Sequence, residues 1–167
     1  SPETGYILLA EFAEGTLTYK YGYLYDEVNS KTALYSDIGY NTYVKPTLHD
    51  DGVYYGIKAN GNLTIDVDAW RNAIMFPWND LTGNMNVIDV AGDLTIKGTS
   101  GFLKIHAVPG KDGEKNETDG EWHTNGIRTD GDVNFEGGET YIYARPFMYS
   151  DADDTSTFIN AGGNINL

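Results

Sequence analysis

Three tryptophans and a histidine stand in polar surroundings where their rings could stack on a ligand. Trp70 and Trp78 flank one short predicted strand, and Trp122 and His123 close a long polar segment. Aromatic faces match the apolar C–H faces of sugar rings, so these four residues are predicted to bind a glycan. They could instead serve the structure, with Trp70 and Trp78 covering the flank of the fold and Trp122 pinning the polar segment down.

Tyrosines recur at alternate positions in two further segments. Tyr141 and Tyr143 alternate with Ile142 and Ala144, so a strand that buries the apolar pair turns both phenol rings outward. Tyr141 and Tyr143 are therefore also predicted to bind the ligand. The four tyrosines of segment 19–25 would share one face of a strand, either as the inner face of a capping layer or as an exposed platform for sugars.

Two acidic turns could hold a cation. Asp151, Asp153 and Asp154 resemble the start of a calcium loop, although the glycine and closing glutamate of an EF-hand do not follow. Segment 49–52, His-Asp-Asp-Gly, has the composition of a turn and sets two carboxylates beside an imidazole. Calcium at the three aspartates is the metal hypothesis, and a solvated acidic loop is the alternative at both turns.

A catalytic alternative is a polysaccharide lyase. Removal of a proton next to a carboxyl group needs carboxylates that hold a cation, together with a basic residue. Asp66, Asp68 and Asp89 could supply the carboxylates, and Lys97 or Arg128 the base. Strands one repeat apart would lie about 4.8 Å from each other, which is close enough for such side chains to converge.

The organisation that would position these side chains is a nine-residue phrase that occurs four times. It begins with Ile, places Gly-Asn or Gly-Asp in its middle and ends on two apolar residues separated by Thr or Asn. The phrases occupy residues 57–65, 88–96, 127–135 and 159–167, so their starts are 31, 39 and 32 residues apart. Self-similarity at such intervals is typical of solenoids and propellers.

Each phrase predicts the end of one strand, a corner and the start of another. The final alternation buries one face, and the leading Ile points inward from the preceding strand. The Gly-Asn or Gly-Asp pair is predicted to supply the positive φ of a sharp corner. Stacked phrases would bury an apolar column that one phrase could not bury alone, which favours a solenoid. An antiparallel sandwich is disfavoured because its strands would not share one corner phrase.

The repeats begin near residue 53, which divides the chain into an N-terminal β-rich cap, 1–52, and the repeats, 53–167. A polar insertion at 108–125 accounts for the longest interval between phrases. Insertions in solenoids bulge from one face, and that face is often where partners bind.

Composition argues against several classes of protein. The net charge is −14, from 25 acidic and 11 basic residues, so nucleic acid and acidic membranes are poor partners, because phosphates need a basic face. No cysteine is present, which excludes zinc-thiolate sites, thiol catalysis and disulfides. No apolar run of about 18 residues occurs, so no transmembrane segment is predicted.

Two segments carry a resemblance to a known family. Residues 90–98 read Val-Ala-Gly-Asp-Leu-Thr-Ile-Lys-Gly, and residues 125–138 read Asn-Gly-Ile-Arg-Thr-Asp-Gly-Asp-Val-Asn-Phe-Glu-Gly-Gly. Over about residues 53–167 the chain resembles bacterial secreted right-handed parallel β-helix proteins classed as carbohydrate-binding domains. The resemblance implies a right-handed helix, a secreted or cell-surface location and a polysaccharide ligand, in some members with calcium.

The sequence therefore predicts an all-β protein, a right-handed parallel β-helix of about four coils with an N-terminal β-rich cap. The predicted function is a non-catalytic carbohydrate-binding or adhesion module, outside the cell. The alternatives are a structural segment of a larger surface protein that binds another protein, and the lyase.

Overall fold

The computed structural model describes residues 6–7, 10–12, 15–20, 23–26, 31–35, 41–44, 46–66, 73–76, 84–98, 102–107, 123–144 and 155–167. Their strands, in chain order, are β1 (Tyr6–Ile7), β2 (Ala10–Phe12), β3 (Gly15–Lys20), β4 (Tyr23–Asp26), β5 (Lys31–Tyr35), β6 (Asn41–Val44), β7 (Thr47–Leu48), β8 (Tyr54–Ala59), β9 (Leu63–Asp66), β10 (Ala73–Phe76), β11 (Met85–Val90), β12 (Leu94–Lys97), β13 (Phe102–Ala107), β14 (His123–Thr129), β15 (Val133–Glu136), β16 (Glu139–Ala144), β17 (Thr155–Ala161) and β18 (Ile165–Asn166). No helix occurs in these ranges, and hence none that could cross a membrane. The prediction of an all-β fold is confirmed.

Three sheets, which we name A, B and C, contain the strands. Sheet A has the order β1-β6-β10-β13-β16, and sheet B the order β17-β14-β11-β8-β2, with β7 beside β8. Sheet C has the order β18-β15-β12-β9-β3-β4-β5. The chain visits the sheets in rotation, and we name one pass through A, B and C a rung. Strands of successive rungs pair in parallel, for example β11 with β14 and β12 with β15, which is compatible with a solenoid.

The N-terminal strands join the same three sheets. Strands β1, β2 and β3 pair in parallel with β6, β8 and β9, so strands on both sides of residue 52 share sheets. Strands β3, β4 and β5 pair antiparallel. The prediction that tyrosine run 19–25 lies on one strand is wrong, because the run is divided between β3 and β4, with Tyr19 opposite Leu24.

The phrases stack in register and form the core. Ile57, Ile88, Ile127 and Ile159 are neighbours in sheet B, and the first three are completely buried. In sheet C, Leu63, Leu94 and Val133 form a second buried column. From sheet A, Leu103, Ile105 and Ala107 point inward, as their alternation predicts. The predicted inward faces are confirmed in these columns, whereas in the fourth phrase Ile165 is 49% exposed and Leu167 is fully exposed. Burial of the apolar columns is the main force that stacks the rungs.

In three phrases the glycine does not supply the positive φ predicted for the Gly-Asn or Gly-Asp pair. Gly92, Gly131 and Gly163 do not have positive φ, whereas Gly52, in the predicted turn 49–52, has φ of 81°. The phrase glycines are needed for space instead. A Cβ at Gly131 would overlap Asp93 Oδ1 and lie 2.9 Å from Gly92 O of the preceding rung.

The Asn or Asp after each glycine links successive corners. The Asp93 amide donates to Asn62 Oδ1 at 2.8 Å, and the Asp132 amide donates to Asp93 Oδ1 at 2.8 Å. The Asn164 amide continues the series by donating to Asp132 Oδ1 at 2.7 Å. This corner ladder satisfies backbone donors that the turn leaves without a strand partner. The accepting oxygen of each side chain also lies beside the glycine of the next rung. Any residue larger than glycine would place its Cβ in the space that this oxygen occupies.

Candidate functional site

The outer face of sheet A carries an aromatic strip, which we define as Phe102, His106, Tyr141 and Tyr143. Strands β13 and β16 position these side chains, because both strands turn their alternate apolar residues into the core. In the register between the strands, His106 pairs with Tyr143 and Lys104 with Tyr141. The parallel pairing therefore brings together aromatic residues that lie more than 30 positions apart.

The rings of the strip contact each other edge to face. Phe102 and Tyr141 have ring centroids 6.2 Å apart at 87°, and His106 and Tyr143 have centroids 5.9 Å apart at 62°. Such edge-to-face pairs stabilise the positions of the rings. Tyr141 is 52% exposed and Tyr143 is 47% exposed, which confirms the prediction that both point outward.

The strip is uncharged near neutral pH. Partial burial, together with the charge of Lys104, lowers the pKa of His106, so its imidazole is neutral at pH 7. Tyr141 donates a hydrogen bond from its hydroxyl to the carboxylate of Glu139, and this bond raises the pKa of Tyr141. The four side chains of the strip are thus uncharged, with Lys104 and Glu139 beside them, and rings of this kind are suited to stacking against sugar rings.

A second candidate surface is a polar cleft on the outer face of sheet B. Its volume is about 360 Å³. The lining is mostly amide and hydroxyl side chains and comprises Val53, Asn84, Asn86, His123, Asn125, Arg128, Thr155, Thr157 and Asn160. The sheet register places the lining side chains in two rows. One row contains Asn86, Asn125 and Thr157, and the other contains Arg128 and Asn160 next to Asp89.

Hydrogen bonds organise the floor of the polar cleft. Asn125, which is only 8% exposed, donates from Nδ2 to Asn86 Oδ1 at 2.8 Å. Asn86 in turn donates from Nδ2 to Asp89 Oδ2 at 2.9 Å. Arg128 contacts Asp89 Oδ1 at 3.4 Å through Nη1 and donates to Asp130 through Nη2. The floor is thus a continuous network with fixed side-chain positions.

Asp89 is a buried carboxylate in this network. Burial raises the pKa of Asp89, while Arg128, Lys58 and Asn86 act in the opposite direction. The folded state then holds the proton on Asp89 more tightly than the unfolded chain does. Stability therefore falls as pH rises from the pKa of Asp89 in the unfolded chain to its higher pKa in the folded protein. We expect Asp89→Asn to raise the free energy of unfolding at pH 7, and the gain to vanish below the ordinary pKa of 3.8. Urea unfolding at both pH values measures this difference.

Asp130→Asn is the control for the Asp89 prediction, because Asp130 is an exposed partner of the same Arg128. The difference in free energy of unfolding between Asp130→Asn and the native protein should be small at both pH values, since surface ion pairs contribute about 0–1 kcal/mol. A lower stability of Asp89→Asn at pH 7 would contradict the prediction and show that the ion pair with Arg128 outweighs burial.

The other predicted site residues divide into two groups. His123 lines the polar cleft, where its Nδ1 lies 2.7 Å from Thr155 Oγ1, so it is separate from the aromatic strip. Since β14 begins at His123, residues 123–125 belong to a strand, and the predicted end of the polar insertion at 125 is wrong. The remaining predicted residues lie outside the described residues. They are Trp70, Trp78, Trp122, Asp151, Asp153 and Asp154.

The described residues do not form a cluster that would support the metal or lyase hypotheses. Within the described ranges, no group of three His, Cys, Asp or Glu side chains could hold a metal ion. In the turn 49–52, Asp51 Oδ2 accepts a hydrogen bond of 2.6 Å from the Tyr55 hydroxyl. Lys97 neighbours Asp66 in sheet C, whereas Arg128 neighbours Asp89 in sheet B, so these four lyase candidates form two separate pairs. Asp68 lies outside the described residues.

No protein-family model, no curated protein and no solved structure matches this chain. The resemblance to secreted β-helix proteins therefore stays a prediction. The geometry of the aromatic strip and the polar cleft must carry the functional argument.

Sequence reasoning missed the polar cleft, although the repeats contain a signal for it. The residue after the leading Ile is polar in all four phrases, namely Lys58, Asp89, Arg128 and Asn160. The residue two positions before the leading Ile is polar in the last three phrases, namely Asn86, Asn125 and Thr157. Comparing columns of the repeat, in addition to residues along one strand, would have placed these side chains side by side.

Proposed function

We propose that this protein is an extracellular, non-catalytic carbohydrate-binding or adhesion module, built on a right-handed parallel β-helix of about four coils, one for each phrase. The N-terminal β-rich cap adds the rung of β1, β2 and β3 to the same sheets. The observation that carries the proposal is the aromatic strip. Tyr141 and Tyr143 project from one strand at alternate positions and are half exposed. Two such rings on a flat sheet would stack on sugar residues of an extended polysaccharide. The tryptophans Trp70, Trp78 and Trp122, and calcium at Asp151, Asp153 and Asp154, remain part of this proposal.

The parallel sheets support the proposed scaffold. Sites on strands hold their side chains more precisely than sites on loops do, so the rings of the strip are preorganised and binding costs less conformational entropy. The net charge of −14 also supports a glycan over nucleic acid as the partner.

The test is binding to neutral and acidic polysaccharides by affinity electrophoresis, first with calcium and then with EDTA. Tyr143→Ala should weaken binding about tenfold, because it removes one stacking surface worth about 1.4 kcal/mol. Tyr143→Phe keeps the ring and should bind within about twofold of the native protein. Thr95→Ala is the control, since Thr95 lies on sheet C, away from the strip, and its substitution changes no charge.

Three outcomes would change the proposal. Equal binding by Tyr143→Ala and the native protein would remove the strip from the site. Binding that EDTA leaves unchanged would remove calcium from the proposal. Shortening of the polymer during incubation would show that the protein cleaves it, and the lyase hypothesis would then replace the binding module.

A protein partner is the second candidate, and an exposed apolar surface favours it. Phe158 is 56% exposed and Leu167 is fully exposed, and both line a cleft of about 410 Å³ together with Phe135 and Ile142. Contiguous exposed apolar surface often marks a protein interface. If folded protein binds no polysaccharide and Phe158→Ser abolishes adhesion to cells, this candidate replaces the first.

A further inference from the structure

We infer that the polar cleft on sheet B is a separate subsite for one uncharged sugar residue. The inference rests on the proposed function, because it assumes a glycan ligand, and it adds the position and the charge of one unit of that ligand. The cleft and the aromatic strip lie on different sheets, so each can be tested without altering the other.

The lining of the cleft matches the chemistry of a sugar. Sugar hydroxyls both donate and accept hydrogen bonds, and so do the side chains of Asn and Thr. Asn84, Asn86, Asn125 and Asn160 together with Thr155 and Thr157 provide six such side chains around one cleft. Val53 adds an apolar contact suited to a sugar C–H face. The cleft therefore offers paired donors and acceptors to a ligand rich in hydroxyl groups.

The fixed floor of the cleft and its open wall have different roles. Asn86 and Asn125 are held by the network that ends at Asp89, so their polar atoms are preorganised. Thr157 and Asn160 line the wall, and within the described part of the chain their side chains make no hydrogen bond to the protein. Their donors and acceptors therefore face the space that a ligand would fill.

Charge decides between a neutral sugar and a uronic acid. Arg128 carries the positive charge of the lining, and both of its terminal nitrogens contact carboxylates, those of Asp89 and Asp130. An acidic ligand would have to compete with these carboxylates for Arg128 and would also approach a protein of net charge −14. A neutral ligand meets neither cost, and it leaves the ion pairs intact.

The volume sets the size of the ligand. At about 360 Å³ the cleft is near the lower end of the range of about 300–1,000 Å³ for small-molecule sites. This space suits a single sugar residue, either free or at the end or side branch of a polymer. A longer polymer would extend from the cleft over the protein surface.

The probes are methyl glycosides of glucose, galactose and mannose, each compared with the uronic-acid glycoside of the same configuration at pH 7. Side-chain amide NMR signals of Asn86, Asn125 and Asn160 report binding in the cleft directly. We expect neutral glycosides to shift these signals with saturation, and the uronic acids to bind at least about threefold more weakly because of charge repulsion.

Variants locate the site. Thr157→Val keeps the shape and removes the hydroxyl, and Asn160→Ala removes the amide, so each should weaken the neutral glycoside about three- to tenfold. Thr95→Val is the matched control, because Thr95 is a half-buried threonine on the outer face of sheet C. Its affinity for the glycoside should equal that of the native protein.

The outcomes separate the inference from the proposed function. If no glycoside shifts the cleft amides while Tyr143→Ala still weakens polysaccharide binding, the subsite is overturned and the aromatic strip stands. If uronic acids bind in the cleft as well as neutral sugars, the charge argument is overturned. If the amides shift while Tyr143→Ala binds normally, the subsite stands and the strip fails. If neither surface responds to any glycan, both are wrong.

Discussion

Gly131→Ala is expected to lower the free energy of unfolding by about 3 kcal/mol, because the new methyl group overlaps the corner ladder. A Cβ at Gly131 would overlap Asp93 Oδ1 and lie 2.9 Å from the backbone oxygen of Gly92. Asp93 Oδ1 would have to move, and the Asp132 amide would then lose the acceptor that it contacts at 2.8 Å. Urea unfolding followed by circular dichroism measures the loss.

The contribution of the overlap can be isolated with a double-mutant cycle. Asp93→Ala alone should cost about 1 kcal/mol through the lost hydrogen bond. The double variant of Gly131→Ala with Asp93→Ala should lose less than the sum of the two, by about 1–2 kcal/mol, because the overlapping oxygen is gone. Additive losses would show that Asp93 is not the obstacle at Gly131.

Gly52→Ala is a control with a different physical cause. No atom lies within 4 Å of a Cβ at Gly52, but its φ is +81°. Gly52→Ala should lower the free energy of unfolding by about 1–2 kcal/mol through backbone strain alone. Adding Asp93→Ala should not reduce this loss.

Ile88→Ala is expected to cost about 3 kcal/mol, and Ile159→Ala about 1 kcal/mol. Both isoleucines open a phrase and occupy the same column of sheet B. Ile88 is completely buried between Ile57 and Ile127, whereas Ile159 is half-buried. Truncation at Ile88 leaves a cavity enclosed by both neighbouring rungs, and truncation at Ile159 leaves a space that solvent can reach.

Comparing the two substitutions tests whether stacking provides the stability. The same chemical change at equivalent positions of the repeat removes differences in side-chain type and strand propensity. Unfolding curves by fluorescence and by circular dichroism should coincide before the free energies are compared. Equal losses at both sites would indicate that burial between rungs is not the main source of stability.

The repeated phrase made the core predictable from the sequence. Alternation along a strand is a local property, so Leu63, Ile65 and Leu103 could be assigned to the inside before their neighbours were known. The outward direction of Tyr141 and Tyr143 follows from the same rule. These assignments need only that the segments form strands with one buried face.

The glycines show why part of the prediction failed. Gly-Asn and Gly-Asp are common in turns that need positive φ, so the sequence favoured that explanation. At Gly131 the actual reason is a carboxylate oxygen from a residue 38 positions earlier, Asp93. A contact between rungs cannot be read from the nine residues of one phrase.

By itself, the sequence determined that this protein is all-β, that its phrases repeat and which side chains of the first three phrases enter the core, because strand periodicity and repeat spacing are local patterns. Only the tertiary structure decided which outward residues meet. Parallel register sets Asn125 beside Asn86 and Tyr143 beside His106, across intervals of 39 and 37 residues. The number of residues between successive strands differs from rung to rung, so sequence distance alone does not give the register. The pairing of strands, which depends on hydrogen bonds and core packing, was needed to place the aromatic strip and the polar cleft.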